Sequence, residues 1–163
     1  MFFLDIDILD ILSHRVSGDM APPLREDAGR MNVLMAFRFE FDPANKILLL
    51  RAEGRMTDEL LGKLYPEVER HWAATDARAL IVDFSAATEP AASSGFIHRE
   101  AKRRPPMPER PVFIVVDSPV GYGLARMFQI VREDKRPQFH IERTLGAALA
   151  ALGVKSPQFE PLE

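Results

Sequence analysis

Residues 79–103 read ALIVDFSAATEPAASSGFIHREAKR. Ala79 to Phe84 is a short, nearly continuous apolar run ending in Asp83-Phe84-Ser85, the pattern of a strand covered on both faces. Ser93 to Arg103 then reads as a helix, stopped by Pro105 and Pro106. A doubly covered strand followed by a helix is the unit from which parallel sheets are built, so the search for its partners runs in both directions.

Downstream, Val112 to Val116 is a second buried strand, and Ser118-Pro119 offers a helix cap with proline at the first helical position. Leu124, Met127, Phe128 and Val131 give that helix an apolar face. Phe139 and Ile141 mark a last strand, and Thr144 caps a short helix through Leu145, Leu149 and Leu152 that ends at Gly153. Upstream, Phe37, Phe39 and Phe41 alternate with Arg38 and Glu40, as in a strand with one buried face. Asp42-Pro43-Ala44-Asn45 is turn chemistry, and Ile47 to Ala52 returns as the second arm of a hairpin closed by Gly54. Thr57 caps a helix with Asp58 and Glu59 in its first turn; Leu60, Leu61, Leu64, Val68 and Trp72 follow at helical spacing, with Pro66 expected to kink or split it.

The order predicts a small α/β domain: a mainly parallel five-stranded sheet, its first strand antiparallel, with about four helices. Residues 35–154 form this domain, 1–34 an arm of changed composition, and 155–163 a tail. Sites in such folds gather at the carboxyl ends of the parallel strands, here Ser85 to Ser94 and Asp117 to Gly123.

The chain has 163 residues, 24 acids, 21 Lys plus Arg and 47 % hydrophobic residues, enough for one globular core without a staple. Cysteine is absent, which removes disulfides, thiolate nucleophiles and zinc ribbons together. Six of the acids lie in residues 1–34 against three arginines, so the rest of the chain is balanced and lacks the basic face of a nucleic-acid binder. The apolar opening MFFLDIDILDIL carries Asp5, Asp7 and Asp10 and no basic start, so neither a signal peptide nor a membrane span is expected.

Four stretches carry a resemblance: LLLRAEGRMTDE (48–59), LIVDFSAATEPAASSGF (80–96), VDSPVGYGLARMFQIV (116–131) and RTLGAALAALG (143–153). In order and spacing, over roughly residues 36–153, they resemble the STAS family of anti-sigma-factor antagonist domains, and its SpoIIAA-like, STAS/SEC14-type branch in particular. The resemblance implies a bacterial, cytoplasmic, non-enzymatic module without cofactor, which binds a kinase or other regulatory protein. It also implies a phosphoacceptor serine at the start of the second helix, within a D-S-S-G or D-S-x-G pattern. That position falls on Ser93 of Ala92-Ser93-Ser94-Gly95, where Ala92 stands in place of the acid. The STAS/SEC14 branch implies an alternative, the binding of a small apolar or anionic, lipid-like ligand.

Read from the residues themselves, Ser93 and Ser94 fit a helix cap, and a phosphate there would be favoured by the helix dipole. The candidate partner surface is therefore Ser93, Ser94 and Gly95, joined by a candidate ligand or partner loop of Asp117, Ser118, Gly121, Tyr122, Gly123 and Arg126. Gly121-Tyr122-Gly123 lacks the remaining glycine and lysine of phosphate loops and reads as small residues that let the helix start lie close to the sheet. Arg126 could face an anion there, and Tyr122 could line a pocket with Phe96 and Met107. Arg99, Lys102, Arg103 and Arg104, beside His98 and Arg110, form a basic cluster that suits a helix end or an acidic partner. Ser93 or Ser94, His98 and Asp117 do not make a hydrolase motif, and the four histidines lack metal-ligand spacing. The oligomeric state is left open, a homo-oligomer included.

Overall fold

The hairpin that opens the sheet is set by its turn: Asp42 accepts from the backbone N–H of Asn45, and Lys46 takes a left-handed φ of 56°. In the computed structural model, which describes residues 36–88, 92–103, 109–132 and 138–163, this hairpin joins β1 (Ala36–Asp42) to β2 (Ile47–Arg55). The other strands are β3 (Ala79–Thr88), β4 (Val112–Val115), β5 (Phe139–Glu142) and β6 (Glu160–Leu162). The helices are α1 (Asp58–Gly62), α2 (Leu64–Ala74), α3 (Ser94–Ala101), α4 (Pro119–Arg132) and α5 (Leu145–Ala151). The strands form one sheet in the order β5-β4-β3-β2-β1-β6. β2, β3, β4 and β5 pair in parallel, and β1 pairs antiparallel with β2 and β6, which is the α/β class the sequence predicts. The expected arm, residues 1–34, lies outside the described residues.

Side-chain alternation divides the core into two. Leu48, Leu50, Leu80, Val82 and Val112 face the apolar sides of α1 to α4, whereas Ile47, Leu49, Ile81, Phe113 and Val115 face α5. Burial on both faces is why β2 and β3 read as unbroken apolar runs.

Two expectations are corrected. Among the described residues the sheet has six strands, not five, because part of the expected tail folds back. After α5, Gly153 takes φ 75° and Val154 N–H reaches the Leu149 carbonyl, closing the helix in a Schellman turn. Phe159 packs on the α5 face, and Glu160–Leu162 adds to the free edge of β1. Second, the segment from Ser85 to Thr88 is strand rather than loop. The Asp83 carboxylate accepts from Ser85 N (2.9 Å) and Ser85 Oγ (2.6 Å), absorbing a bulge after which β3 resumes pairing with β2 at Glu53–Ala86. As Pro66 leads one to expect, the predicted first helix is split, into α1 and α2 at Lys63, which leaves Pro66 in the first turn of α2, where proline costs no helical hydrogen bond; the described residues thus form five helices.

His71 on α2 is buried and stacked on Phe39, with ring centroids 3.9 Å apart. Arg70 donates to its Nε2 at 2.8 Å, which requires a neutral ring with its proton on Nδ1. Burial, and then Arg70, lower its pKa against the opposing pull of Glu67. A depressed histidine pKa means that the unfolded chain binds the proton first, so stability falls as pH drops below the unfolded value of about 6.5. Chemical denaturation at pH 7.5 and 5.5 should show this loss, and His71→Gln should remove the part due to this ring.

Candidate functional site

α3 begins where the sequence places it. Ser93 is the N-cap, extended at φ −76° and ψ 146°, and its Oγ accepts from Phe96 N–H at 3.1 Å. The same hydroxyl donates to Asp58 Oδ2 at 2.6 Å, while Ser93 N–H donates to Asp58 Oδ1 at 2.7 Å. A carboxylate from the first turn of α1 thus meets Ser93. The two bonds from Ser93, hydroxyl first and then amide, together with nearby Arg99, hold the Asp58 carboxyl below its usual range. Ser93, Ser94 and Gly95 are exposed, and the Arg99 guanidinium lies over Gly95 and 6.0 Å from the centre of the Phe96 ring.

The second loop follows β4, the parallel neighbour of β3, and α3 packs on α4. Ser118 Oγ accepts from Gly121 N–H at 3.1 Å, the cap expected there. Gly121 is buried, Gly123 exposed. Tyr122 lies under the Arg143 guanidinium, 4.0 Å from ring centre to carbon, and Arg143 also donates to the Asp117 carbonyl. Arg126 is exposed and bonded to Gln129. Among the described residues no hydrogen bond or ion pair joins this loop to Ser93, and Ser93 has Asp58 as its partner rather than His98, which is exposed. Of the basic cluster, Arg103 pairs with Glu100 and lies over Tyr65, and Arg104 falls outside the described residues.

Beneath α3 and α4, against the sheet, is a cavity of about 140 Å³. Its wall is apolar: Met56, Leu61, Val82, Phe96, Leu124 and Phe128 are typical of it. The pocket expected from Tyr122, Phe96 and Met107 is only partly this one. Phe96 lines it, Tyr122 does not, and Met107 lies outside the described residues. Two side chains were missed by sequence reasoning. The sequence presents Asp58 as a first-turn acid alone, and nothing local marks its partner 35 residues away. Arg132 lines the cavity, and a signal for it existed: Gly121, Ala125, Phe128 and Arg132 lie at helical spacing, so the charge continues a buried stripe.

No family model and no curated protein matches the sequence. No helix among the described residues is long and apolar enough to cross a membrane. Among solved structures, the chain is similar to the anti-sigma factor antagonist SpoIIAA in its unphosphorylated form, with a TM-score of 0.46 and 14 % sequence identity, the match covering 74 % of this chain and 100 % of that chain.

Proposed function

We propose that this chain is a non-enzymatic regulatory domain of the STAS type, which meets a protein partner at Ser93, Ser94 and Gly95 and is switched by phosphorylation of Ser93. The observation that carries the reading is the pair of hydrogen bonds from Ser93 to Asp58, one from the amide and one from the hydroxyl, because it makes one exposed residue the fastening between α1 and α3. A phosphate would add about −1.5 to −2 charges at the start of α3, where the helix amides favour an anion. It would also set that charge against the Asp58 carboxylate, and the like charges would part α1 from α3 while the helix itself stays capped. Arg99, whose charge already acts on Asp58, would take up the phosphate. The partner-facing surface would therefore change without unfolding of the domain. The acceptor reading comes from the resemblance of residues 80–96 to the antagonist pattern, and the clamp gives it a mechanism.

The test is native mass spectrometry of the chain purified gently from its own host, with phosphosite mapping of the same sample. Phosphate on Ser93 and a stoichiometric protein partner are expected. Ser93→Ala should keep that complex at a cost of about 1 kcal/mol in stability from the lost cap, and Ser93→Glu should release it. Unmodified Ser93, with both variants holding every native complex, overturns the reading.

A second reading, a receptor for a small apolar ligand, is favoured by the 140 Å³ cavity, which is close in size to an engineered apolar cavity of about 150 Å³ that binds benzene. Recovery of a small molecule with the host-purified protein is its expected result.

A further inference from the structure

The cavity wall contains a cation for which the fold provides no anion among the described residues. Arg132, the last residue of α4, is 2 % exposed. Its Nη2 donates to the Arg103 carbonyl, and its guanidinium carbon lies 5.0 Å from the centre of the Phe128 ring, which lines the same cavity. Its Nε is buried and has no hydrogen-bond partner among the described residues. Glu100 is the one carboxylate among the lining residues, and it is already held by Arg103 at 2.9 Å. A buried guanidinium with an idle donor is strongly unfavourable unless an anion joins it, and the ring face and one carbonyl supply only part of that compensation.

We infer that the cavity binds a compact monocarboxylate, its carboxylate on the Nε edge of Arg132 and its hydrocarbon body against the wall of Met56, Leu61, Val82 and Leu124. This rests on the second reading above, the ligand receptor, and names its ligand class. Three features select that chemistry. The guanidinium edge matches a planar carboxylate, which can take two parallel N–H bonds. One arginine neutralises one negative charge, whereas a phosphate dianion would bring a surplus charge into an apolar wall close to Glu100. The volume, near that of a benzene site, fits a body of about six carbon atoms rather than a long acyl chain. A wholly apolar ligand would fill the space but leave Nε unpaired.

The experiment titrates the full chain with cyclohexanecarboxylate and, separately, with cyclohexylmethanol, its neutral counterpart, by calorimetry and by the ¹⁵N resonance of Arg132 Nε. The acid should bind one per chain and at least tenfold more tightly than the alcohol, and it alone should move the Nε signal. Arg132→Gln should bring the acid down to the alcohol's affinity. Because the Nε signal is read in the unsubstituted protein, the test stands even if that variant fails to fold. Equal affinities with an unmoved Nε signal would overturn the carboxylate assignment and leave the receptor reading in place; binding of neither compound would remove both.

Discussion

Gly121→Ala should cost the domain about 2 kcal/mol, while Gly123→Ala, two residues along the same helix, should stabilise it by about 0.5–1 kcal/mol. The two glycines have the same local sequence appearance and opposite surroundings. A Cβ on Gly121 would lie 2.4 Å from Val116 Cγ1 and 2.7 Å from Ser118 Oγ. Neither neighbour yields cheaply. Val116 is buried and β-branched, with one preferred rotamer and its N–H tied to the Glu142 carbonyl, and the Ser118 hydroxyl is the cap that receives Gly121 N–H. The added methyl must lift the start of α4 from the end of β4 or displace the cap; overpacking costs about 1–3 kcal/mol and a lost cap about 1 kcal/mol more, offset by the roughly 1 kcal/mol that alanine gains over glycine in a helix. A Cβ on Gly123 meets nothing within 4 Å, so there only the helical gain remains. Thermal unfolding of the two variants is the check, with a fall of roughly 4–8 °C expected for Gly121→Ala. Equal effects would show that the helix start is not wedged against β4.

The same pair of glycines shows how far the sequence could be read. Its reading as small residues that let a helix approach the sheet holds for Gly121 and does not apply to Gly123, since a glycine's reason depends on atoms outside its own segment. Features set by short-range chemistry were legible: the alternation of Phe37, Phe39 and Phe41, the caps Thr57, Ser93 and Thr144, and the apolar strands. Features made by pairing distant segments were not. β3 continues past Phe84 only because β2 is there to pair with Ala86 to Thr88. The carboxylate that meets Ser93 belongs to Asp58, 35 residues away, and nothing beside either residue marks the pairing. The burial of Arg132 follows from α4 lying against α3 and the sheet, which no residue of its own segment reveals.

The C-terminal strand depends on one carboxylate, and Asp42→Ala should release it at a cost of about 3 kcal/mol, the range expected when hydrogen bonds to a charged, buried acceptor are removed. Asp42 is fully buried at the end of β1. Its Oδ1 accepts from Asn45 N–H at 2.9 Å, and its Oδ2 accepts from Asn45 Nδ2 at 2.8 Å and from Gln158 N–H at 3.0 Å. One side chain thus fixes the hairpin turn and anchors the segment that leads into β6. Three residues of antiparallel pairing, one of them Pro161, would not hold a strand at the sheet edge without such an anchor. Amide exchange should therefore quicken at Gln158 to Leu162 in the variant, while Ile81 in the centre of the sheet keeps its protection; uniform loss across the sheet would mean that Asp42 serves global stability rather than the tail. The pH dependence gives the argument a second footing. Burial alone would raise the Asp42 pKa, and the bonds from Asn45, Gln158 and Ala44 outweigh it and lower the value below the ordinary 3.8. A lowered carboxyl pKa contributes stability that is present above the unfolded value of about 3.9 and is lost as pH falls through the folded value. Acid should therefore detach β6 before the parallel strands part, and in Asp42→Asn, which cannot titrate, that early acid-dependent step should disappear.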